Sequence, residues 1–363
     1  MVLGDPDTPS SAPEAHAFVS QGFIKSTSHD YLVDSSRGSF EFSEAGINFT
    51  SQLTDRLRVG LQLFAYDLGS LGTFNVRADW FYLDYRLKDW LGVRAGRVKL
   101  AFGLYNDISD IDAARTPILL PESIYPQTNR YYLLGVTGGE IYGFINLNRA
   151  GGLDYRIVGG AIPVELPSQI GQTTQASEIN IPYLIAGRLM WETPLDGLRV
   201  GVTGVVLELN ETIVIPTMPM TLPTSLKDLD YAGVGSLEYI RHDLSVAAEV
   251  GSARSVVTNS QPALYPQGTT VSLGGYGMVA YRVSSWLQPA AYYSFFYPNR
   301  NVRSSPEDVQ DDLSATLRFD LNNFWLVKLE GHYMHGTAVF AGTPQAAGPP
   351  NWGLFLIKTT AYF

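Results

Sequence analysis

The chain has 363 residues, no cysteine, 35 glycines, 12% aromatic residues and a formal net charge of −10. The lack of Cys excludes a disulfide framework and a thiolate metal site, and the negative charge argues against nucleic acid or an anionic membrane surface as a partner. No run approaches the roughly 18 uninterrupted apolar residues of a spanning helix. The strands of a membrane barrel are not excluded by this criterion, because they carry lipid-facing residues only at alternate positions.

The beginning of the chain, residues 1–15, is rich in Pro, Ser and Ala, which predicts a loose N-terminal arm. Residues 1–17 lack the basic start and the apolar stretch of a signal peptide. We therefore interpret the chain as a mature one, numbered after a signal was removed, with a cytosolic protein as the alternative. Residues 16–363 are predicted to form a single transmembrane β-barrel.

Alternation with a period of two dominates the chain after the arm, which favours strands over helices. In one segment Val59, Leu61 and Leu63 share a face opposite Arg58 and Gln62. A β-sandwich gives the same alternation but does not need a polar face so rich in Arg, Glu and Gly. Counting gives sixteen antiparallel strands, an even number as in bacterial single-chain barrels. They are predicted near residues 16–26, 38–51, 56–68, 73–87, 90–102, 134–147, 152–162, 180–192, 197–209, 229–241, 243–254, 270–283, 285–297, 309–320, 324–336 and 351–363.

Short polar turns alternate with longer connections between these strands. Four tryptophans, Trp90, Trp191, Trp286 and Trp325, lie beside the short turns. Aromatic residues at one depth mark the lipid interface of a barrel, and short turns lie on its periplasmic side. The pattern therefore predicts short periplasmic turns, longer extracellular loops and location in the bacterial outer membrane.

One interval between short turns is longer than the others because it contains an oversized connection, residues 103–133. Two further strands there would make an eighteen-stranded barrel, but Pro117, Pro121 and Pro126 would interrupt their ladders. A structureless connection of this length is usually functional. We therefore expect this third loop to be important for the activity.

Three segments resemble Gram-negative sixteen-stranded porins. Residues 93–105 resemble the strand before the long loop in the phosphate-selective and related substrate-selective porin group, and residues 40–49 resemble its second strand. The terminal Phe363 is similar to the aromatic signal of outer-membrane assembly. The resemblance implies a homotrimer in outer-membrane lipid and lipopolysaccharide, with the third loop folded into the lumen as a constriction.

The second connection, residues 69–72, departs from that pattern. In general porins a longer second loop latches onto the neighbouring subunit. With so short a connection, a trimer of this chain would depend on flat packing of one barrel wall against another.

Charged residues of the third loop and of the neighbouring wall are the candidate selectivity site. An acidic loop opposite a basic wall would create a transverse field at the constriction and set ion preference. Alternatively, Asp107 and Asp112 pair with wall arginines to hold the loop down, and both roles are compatible. Gly96 is expected to mark a bulge that turns both Arg94 and Arg97 inward. The candidates are Asp107, Asp110, Asp112, Arg115 and Glu122 on the loop, joined by Arg130, and Arg58, Arg77, Arg94, Arg97 and Lys99 on the wall.

Other charges are predicted to face the lumen as a solvated, self-neutralising wall. Because both signs are present and no continuous arginine ladder is visible, phosphate selectivity is not carried over from the family. These residues are Arg156, Arg188, Arg282, Arg318, Lys328, Lys358, Glu44, Glu192, Glu238, Glu249 and Glu330.

Metal sites find little support in the sequence. The aspartates of the third loop could attract calcium, but their spacing is not that of an EF-hand. His332 and His335 are three positions apart on a strand and so face opposite sides, which prevents joint chelation. We predict no metal and no cofactor.

The fifth loop, residues 210–223, is unusually apolar for a surface connection. It is predicted to fold over the lumen or to pack on a neighbouring molecule, with a self-packed lid as the alternative.

The combined prediction is an all-β outer-membrane porin through which small hydrophilic solutes or ions diffuse passively, without enzymatic activity. No nucleotide-binding or nucleophile-elbow motif is present. Two alternatives stay open: a barrel hydrolase, whose Ser–His pair would be recognised by geometry, and an occluded structural or adhesive barrel.

Overall fold

The computed structural model describes residues 13–69, 72–129, 135–163, 175–217, 220–263 and 267–363. Their strands form one antiparallel sheet in which each strand pairs with its neighbours along the chain, and the first pairs with the last. The strands are β1 Glu14–Ser26, β2 Ser43–Gln52, β3 Leu57–Asp67, β4 Arg77–Lys88, β5 Leu91–Lys99, β6 Gly135–Asn146, β7 Gly152–Ile162, β8 Gln175–Glu192, β9 Leu198–Thr217, β10 Met220–Arg241, β11 Leu244–Asn259, β12 Gly268–Val271, β13 Leu273–Tyr281, β14 Leu287–Tyr297, β15 Gln310–Asn322, β16 Trp325–Gly336 and β17 Asn351–Tyr362.

The seventeen segments make a closed barrel of sixteen strands. Strands β12 and β13 both pair with β11 and are separated only by Ser272, so they form a single strand of the barrel with one interruption. The predicted number of strands and their antiparallel order are therefore confirmed. None of the helices in the described part of the chain has the length and apolar character needed to cross a membrane.

Side chains alternate between the lumen and the outside as the sequence pattern predicts. In β16 the inward residues Lys328, Glu330 and His332 are buried, whereas Tyr333 is exposed on the outer face. Large apolar side chains such as Leu313 are exposed on the same outer surface. A hydrophobic exterior around a polar interior is the arrangement of a transmembrane barrel.

The four tryptophans lie on the outer surface beside the short turns, as predicted. All are exposed: Trp90, Trp191, Trp286 and Trp325. The Trp191 indole N–H donates to the Ala150 carbonyl (2.8 Å), and that of Trp325 donates to the Thr359 hydroxyl (2.7 Å). The Trp191 and Trp325 rings thus have an apolar body and a hydrogen-bonded polar end, which suits the lipid interface.

The connections differ from the prediction in three places. The third loop follows Lys99 and precedes Gly135, and its described residues, 100–129, contain short 3-10 helices at Asn106–Ile108, Asp112–Ala114 and Gln127–Asn129. The second connection spans residues 68–76, longer than predicted, because Thr73 forms only an isolated bridge to Asp67. Strand β1 begins at Glu14, and residues 1–12 of the predicted arm lie outside the described residues.

The prediction of a fifth loop at residues 210–223 is wrong. Strands β9 and β10 continue through it, and pairing reaches Thr217 and Met220. The segment is rich in Thr, Ile and Val, which favour an extended ladder. Pro216 and Pro223 lie within the paired strands.

Candidate functional site

The third loop lies inside the barrel and contacts its inner wall on opposite sides. Near its start, Asp107 contacts β7 and β8, and its middle contacts β16 and β17 through Asp112. Further along, Tyr125 reaches Glu249 on β11. The loop therefore crosses the lumen at the level of these contacts.

Asp107 joins two wall arginines in a group that we call the solvated clamp: Asp107, Arg156 and Arg188. The Asp107 carboxylate accepts from Arg156 at 2.6 Å and from Arg188 at 3.1 Å. Arg156 also binds Glu140, and Arg188 donates to the Gly103 carbonyl (3.2 Å). About a quarter of the Asp107 side chain (23%) is exposed, so water reaches this contact.

Asp110 is fully buried between the loop and β3 and β5. It accepts from the Lys99 ammonium at 2.6 Å and from the Gln62 amide at 2.5 Å. Lys99 also donates to the Asp107 carbonyl at 2.9 Å. These contacts fix the first turn of the loop to the wall strand that precedes it.

Asp112 forms a second group, the buried anchor, with Lys328 and Lys358. Its carboxylate lies 3.0 Å from the Lys328 ammonium and 3.6 Å from that of Lys358, and accepts from the Thr360 hydroxyl at 2.8 Å. The three charged side chains are all 0% exposed. Burial alone would raise the pKa of Asp112, but the charges of Lys328, Lys358 and Arg115 hold it well below its usual value.

Basic residues also hold the loop by its backbone carbonyls. Arg318 donates to the carbonyls of Ala113 (2.8 Å) and Arg115 (3.2 Å), and Lys328 donates to those of Asp112 (2.7 Å) and Arg115 (2.8 Å). The Arg115 guanidinium turns back to the Pro117 and Ile118 carbonyls. Arg115 is buried, so its side chain stabilises the loop from within.

Two buried wall glutamates accept hydrogen bonds from the loop. Glu330 accepts from the backbone N–H groups of Ile118 (2.6 Å) and Leu119 (2.8 Å), and it also contacts the Thr316 hydroxyl (2.6 Å) and His332 (3.1 Å). Glu249 accepts from the Leu104 N–H (3.0 Å) and from Tyr125. Contacts to backbone groups are not visible in a sequence pattern, and this explains why we predicted these glutamates only as parts of a solvated wall.

Among the five predicted wall residues, Lys99 contacts the third loop at Asp107 and Asp110. Arg94 instead pairs with Asp84 at 3.0 Å and with Glu140 at 2.9 Å. Arg97 donates to the Asp79 carbonyl at 2.8 Å. The Arg77 guanidinium lies 5.6 Å from the centre of the Tyr66 ring, and Arg58 is exposed near the periplasmic turn.

The predicted bulge at Gly96 is absent from the register of β4 with β5, which is continuous there. The irregularity lies instead in the pairing of β3 with β4, opposite Gln62 and Leu63. Gly96 is needed for another reason: its φ is +134°, and a Cβ would lie 2.3 Å from the Phe81 carbonyl oxygen.

The extracellular side of the third loop borders a cavity of about 1280 Å³, which we call the vestibule. Glu122 lines it, and desolvation raises the pKa of this carboxyl to about 7. Arg130 lies outside the described residues. Within the described ranges, no cluster of three or more His, Asp or Glu side chains is arranged to hold a metal ion.

The two histidines that we placed on opposite faces of β16 do face opposite sides. His332 points inward and contacts Asp312 at 2.9 Å, whereas His335 is exposed and contacts Asn351 at 2.8 Å. They therefore belong to different environments.

Solved structures with the same overall shape identify the fold. No protein-family model matches the chain, and the comparison with curated proteins found no match. The outer-membrane-expressed OmpT of Vibrio cholerae superimposes with a TM-score of 0.64 at 10% identity, over 98% of this chain and 99% of that one. OmpF of Salmonella typhi, solved with daunomycin, gives 0.61 at 12% identity over 97% of each chain. The outer membrane channel DcaP of Acinetobacter baumannii gives 0.53 at 11% identity, again over 97% of each.

The chain has the sixteen-stranded fold of outer-membrane porins. Identities this low establish the fold alone, and they do not select the phosphate-selective group that the sequence resembles. The apolar exterior and the tryptophans beside the turns agree with a barrel of the bacterial outer membrane. Within this fold, the third loop contacts the inner wall at β7 and β8 and at β16 and β17.

Proposed function

We propose that this porin-fold protein is a passive outer-membrane channel for small hydrophilic solutes and that its third loop narrows the lumen. One observation carries the proposal: charged wall residues on opposite sides of the barrel hold the loop inside it. A loop anchored in this way restricts the size of what passes without needing an energy source. We propose no catalytic reaction and no cofactor.

Solutes would pass beside the solvated clamp. Asp107 is partly exposed, as is Arg94 on the same side of the wall (24%), whereas the charges of the buried anchor are inaccessible to water. Hydrophilic solutes need a wet route, since desolvating a polar group costs several kcal/mol. This difference supports a passage along β5 to β8.

We further propose that the channel prefers cations. The described lining of the vestibule contains seven carboxylates and no Lys, Arg or His. Charges that line the approach to a narrow pore set its ion preference. The sequence resembles the phosphate-selective porin group. A lining without basic residues nevertheless gives no support to phosphate selectivity.

Single-channel recording in planar bilayers tests this function. We expect discrete ohmic current steps and, in a salt gradient, a reversal potential that indicates cation preference. A folded, heat-modifiable barrel that gives no steps would contradict the channel and favour an occluded structural barrel or a barrel enzyme. Current steps with anion preference would contradict the proposed cation preference but not the proposed channel.

We also propose a homotrimer that packs through β8 to β10. On the outer face of these strands, Gly187 pairs with Gly204, and Gly204 with Gly233. A Cβ at Gly204 would meet nothing within 4 Å, and one at Gly187 or Gly233 only a carbonyl at 3.9 Å. Internal packing therefore does not require these glycines, whereas close approach of a second wall would.

A pair of substitutions tests this interface. Gly204→Phe should convert the trimer to monomers in native mass spectrometry of the detergent-solubilised protein. The control is Gly331→Phe on β16, where a Cβ also meets nothing within 4 Å. Equal effects of both substitutions, or a monomeric unmodified protein, would contradict the proposed interface.

A further inference from the structure

The vestibule combines a large volume with a mixed lining. It occupies about 1280 Å³ between the third loop and the extracellular ends of the strands. Aromatic and apolar side chains from separate parts of the chain contribute to it, among them Tyr31, Phe102, Phe296 and Phe340. Small-molecule sites are typically cavities of this size with apolar walls and a few polar groups.

Carboxylates are the charged groups of this lining. Asp230 on β10 and Glu122 on the third loop lie on it, and Asp312 on β15 lines it while contacting His332 at 2.9 Å. None of the described lining residues carries a positive charge. A cation that enters therefore encounters negative charge from the loop and from separate strands.

One buried acceptor in this lining has no hydrogen-bond partner in the described part of the chain. Gln310 is only 4% exposed and lines the vestibule, and its side-chain oxygen is unpartnered. Its amide nitrogen has an acceptor, the Asp311 carbonyl at 3.5 Å. A buried acceptor left unsatisfied is destabilising, so a ligand that brings a donor would relieve that cost.

We propose that the vestibule is a binding site for organic cations that carry an N–H donor and an apolar or aromatic body. The ammonium group would lie on the β14–β15 side of the vestibule, between Glu122 and the Gln310 side-chain oxygen, and the apolar body would pack on the aromatic lining. Ser123, next to Glu122, accepts from the Ser294 hydroxyl of β14 at 2.8 Å, and Phe296 of the same strand pairs with Gln310. Aromatic faces also attract cations. The proposal rests on the channel proposed above, because it names the class of solute held at that channel's extracellular approach.

Two small probes with similar bodies and opposite charges test the site. Binding of 2-phenylethylammonium and of 3-phenylpropionate to the detergent-solubilised protein is measured by calorimetry at equal ionic strength. We expect the cation to bind at least about tenfold more tightly, as a difference of 1.4 kcal/mol would give. Equal affinities, or tighter binding of the anion, would overturn the proposal.

Variants then locate the site. Glu122→Gln and Gln310→Leu should each weaken binding of 2-phenylethylammonium severalfold. The matched control is Asp311→Asn, next in sequence to Gln310, because the Asp311 carboxylate instead accepts from the exposed Tyr293 hydroxyl at 2.7 Å. If both lining variants bind as the unmodified protein does, the ammonium group does not lie in the vestibule. The probe comparison on the unmodified protein remains decisive if a variant does not fold.

Calorimetry and conductance separate this inference from the channel itself. Binding of the cationic probe by a barrel that gives no current steps would support the site and contradict the channel. Current steps without preferential binding of the cation would support the channel and contradict the site.

Discussion

The solvated clamp and the buried anchor use the same chemistry in different surroundings. In each, one aspartate of the third loop meets two basic side chains of the wall. The Asp107 side chain is 23% exposed, whereas Asp112 is wholly buried. A charge in contact with water can act on passing ions and its pairing adds little to stability, whereas removal of one partner of a buried pair is strongly destabilising. The comparison teaches that exposure to water separates an acidic residue that could act on ions from one that anchors the loop.

The largest effect is expected from Asp112→Ala. This substitution leaves Lys328 and Lys358 buried without their shared carboxylate, and loss of one partner of a buried pair costs about 3–5 kcal/mol. The temperature at which the barrel unfolds on heating in detergent should fall markedly. Asp107→Ala is the matched variant and should cost less than Asp112→Ala, because the Asp107 side chain is partly exposed and Arg156 keeps its contact with Glu140. Equal losses would remove the distinction between the two groups.

Asp107→Asn should change ion selectivity instead. The substitution leaves the charges of Arg156 and Arg188 beside the proposed passage, so the cation-to-anion permeability ratio should fall, by about threefold for a difference near 0.7 kcal/mol. Reversal potentials in a salt gradient measure this ratio. Asp311→Asn, on the outer face, is the control and should leave it unchanged. An unaltered ratio for Asp107→Asn would assign the clamp a purely structural role.

The smallest expected effect comes from Glu122 and is a dependence on pH. Desolvation raises the pKa of this carboxyl to about 7, so it is mostly neutral at about pH 6 and mostly ionised at about pH 8. Raising the pH adds negative charge to the vestibule, and cation preference should increase by less than about twofold because mobile ions screen the charge. In Glu122→Gln this increase should disappear. A variant with the same pH dependence as the unmodified channel would place the titrating group elsewhere.

The barrel is predictable from the sequence because its strand and turn patterns depend on residues that are close together in the chain. Alternation in segments such as Val59 to Leu63 follows directly from one lipid face and one lumen face, and Trp191 or Trp286 beside a turn follows from the interface. The long third loop is visible because it lengthens one interval. These features need no knowledge of which strands meet across the lumen.

The contacts of the third loop are not predictable in this way. We chose wall residues near the loop in sequence, such as Arg94 and Arg97, but the basic side chains that hold Asp112 are more than 200 residues away on β16 and β17. Only closure of the barrel brings those strands to the loop. The sequence also contains no signal that Arg318 and Lys328 bind backbone carbonyls.

The pairing of β1 with β17 has a consequence for the order of assembly. This seam includes two backbone hydrogen bonds between Ala17 and Phe363, at 2.8 and 2.9 Å, so it requires the last residue of the chain. Lys358 lies on β17, and it can take its place beside Asp112 only when that final strand is in position. Non-local contacts of this kind form late in folding because long segments must first be brought together. The buried anchor of the third loop is therefore complete only after the barrel has closed.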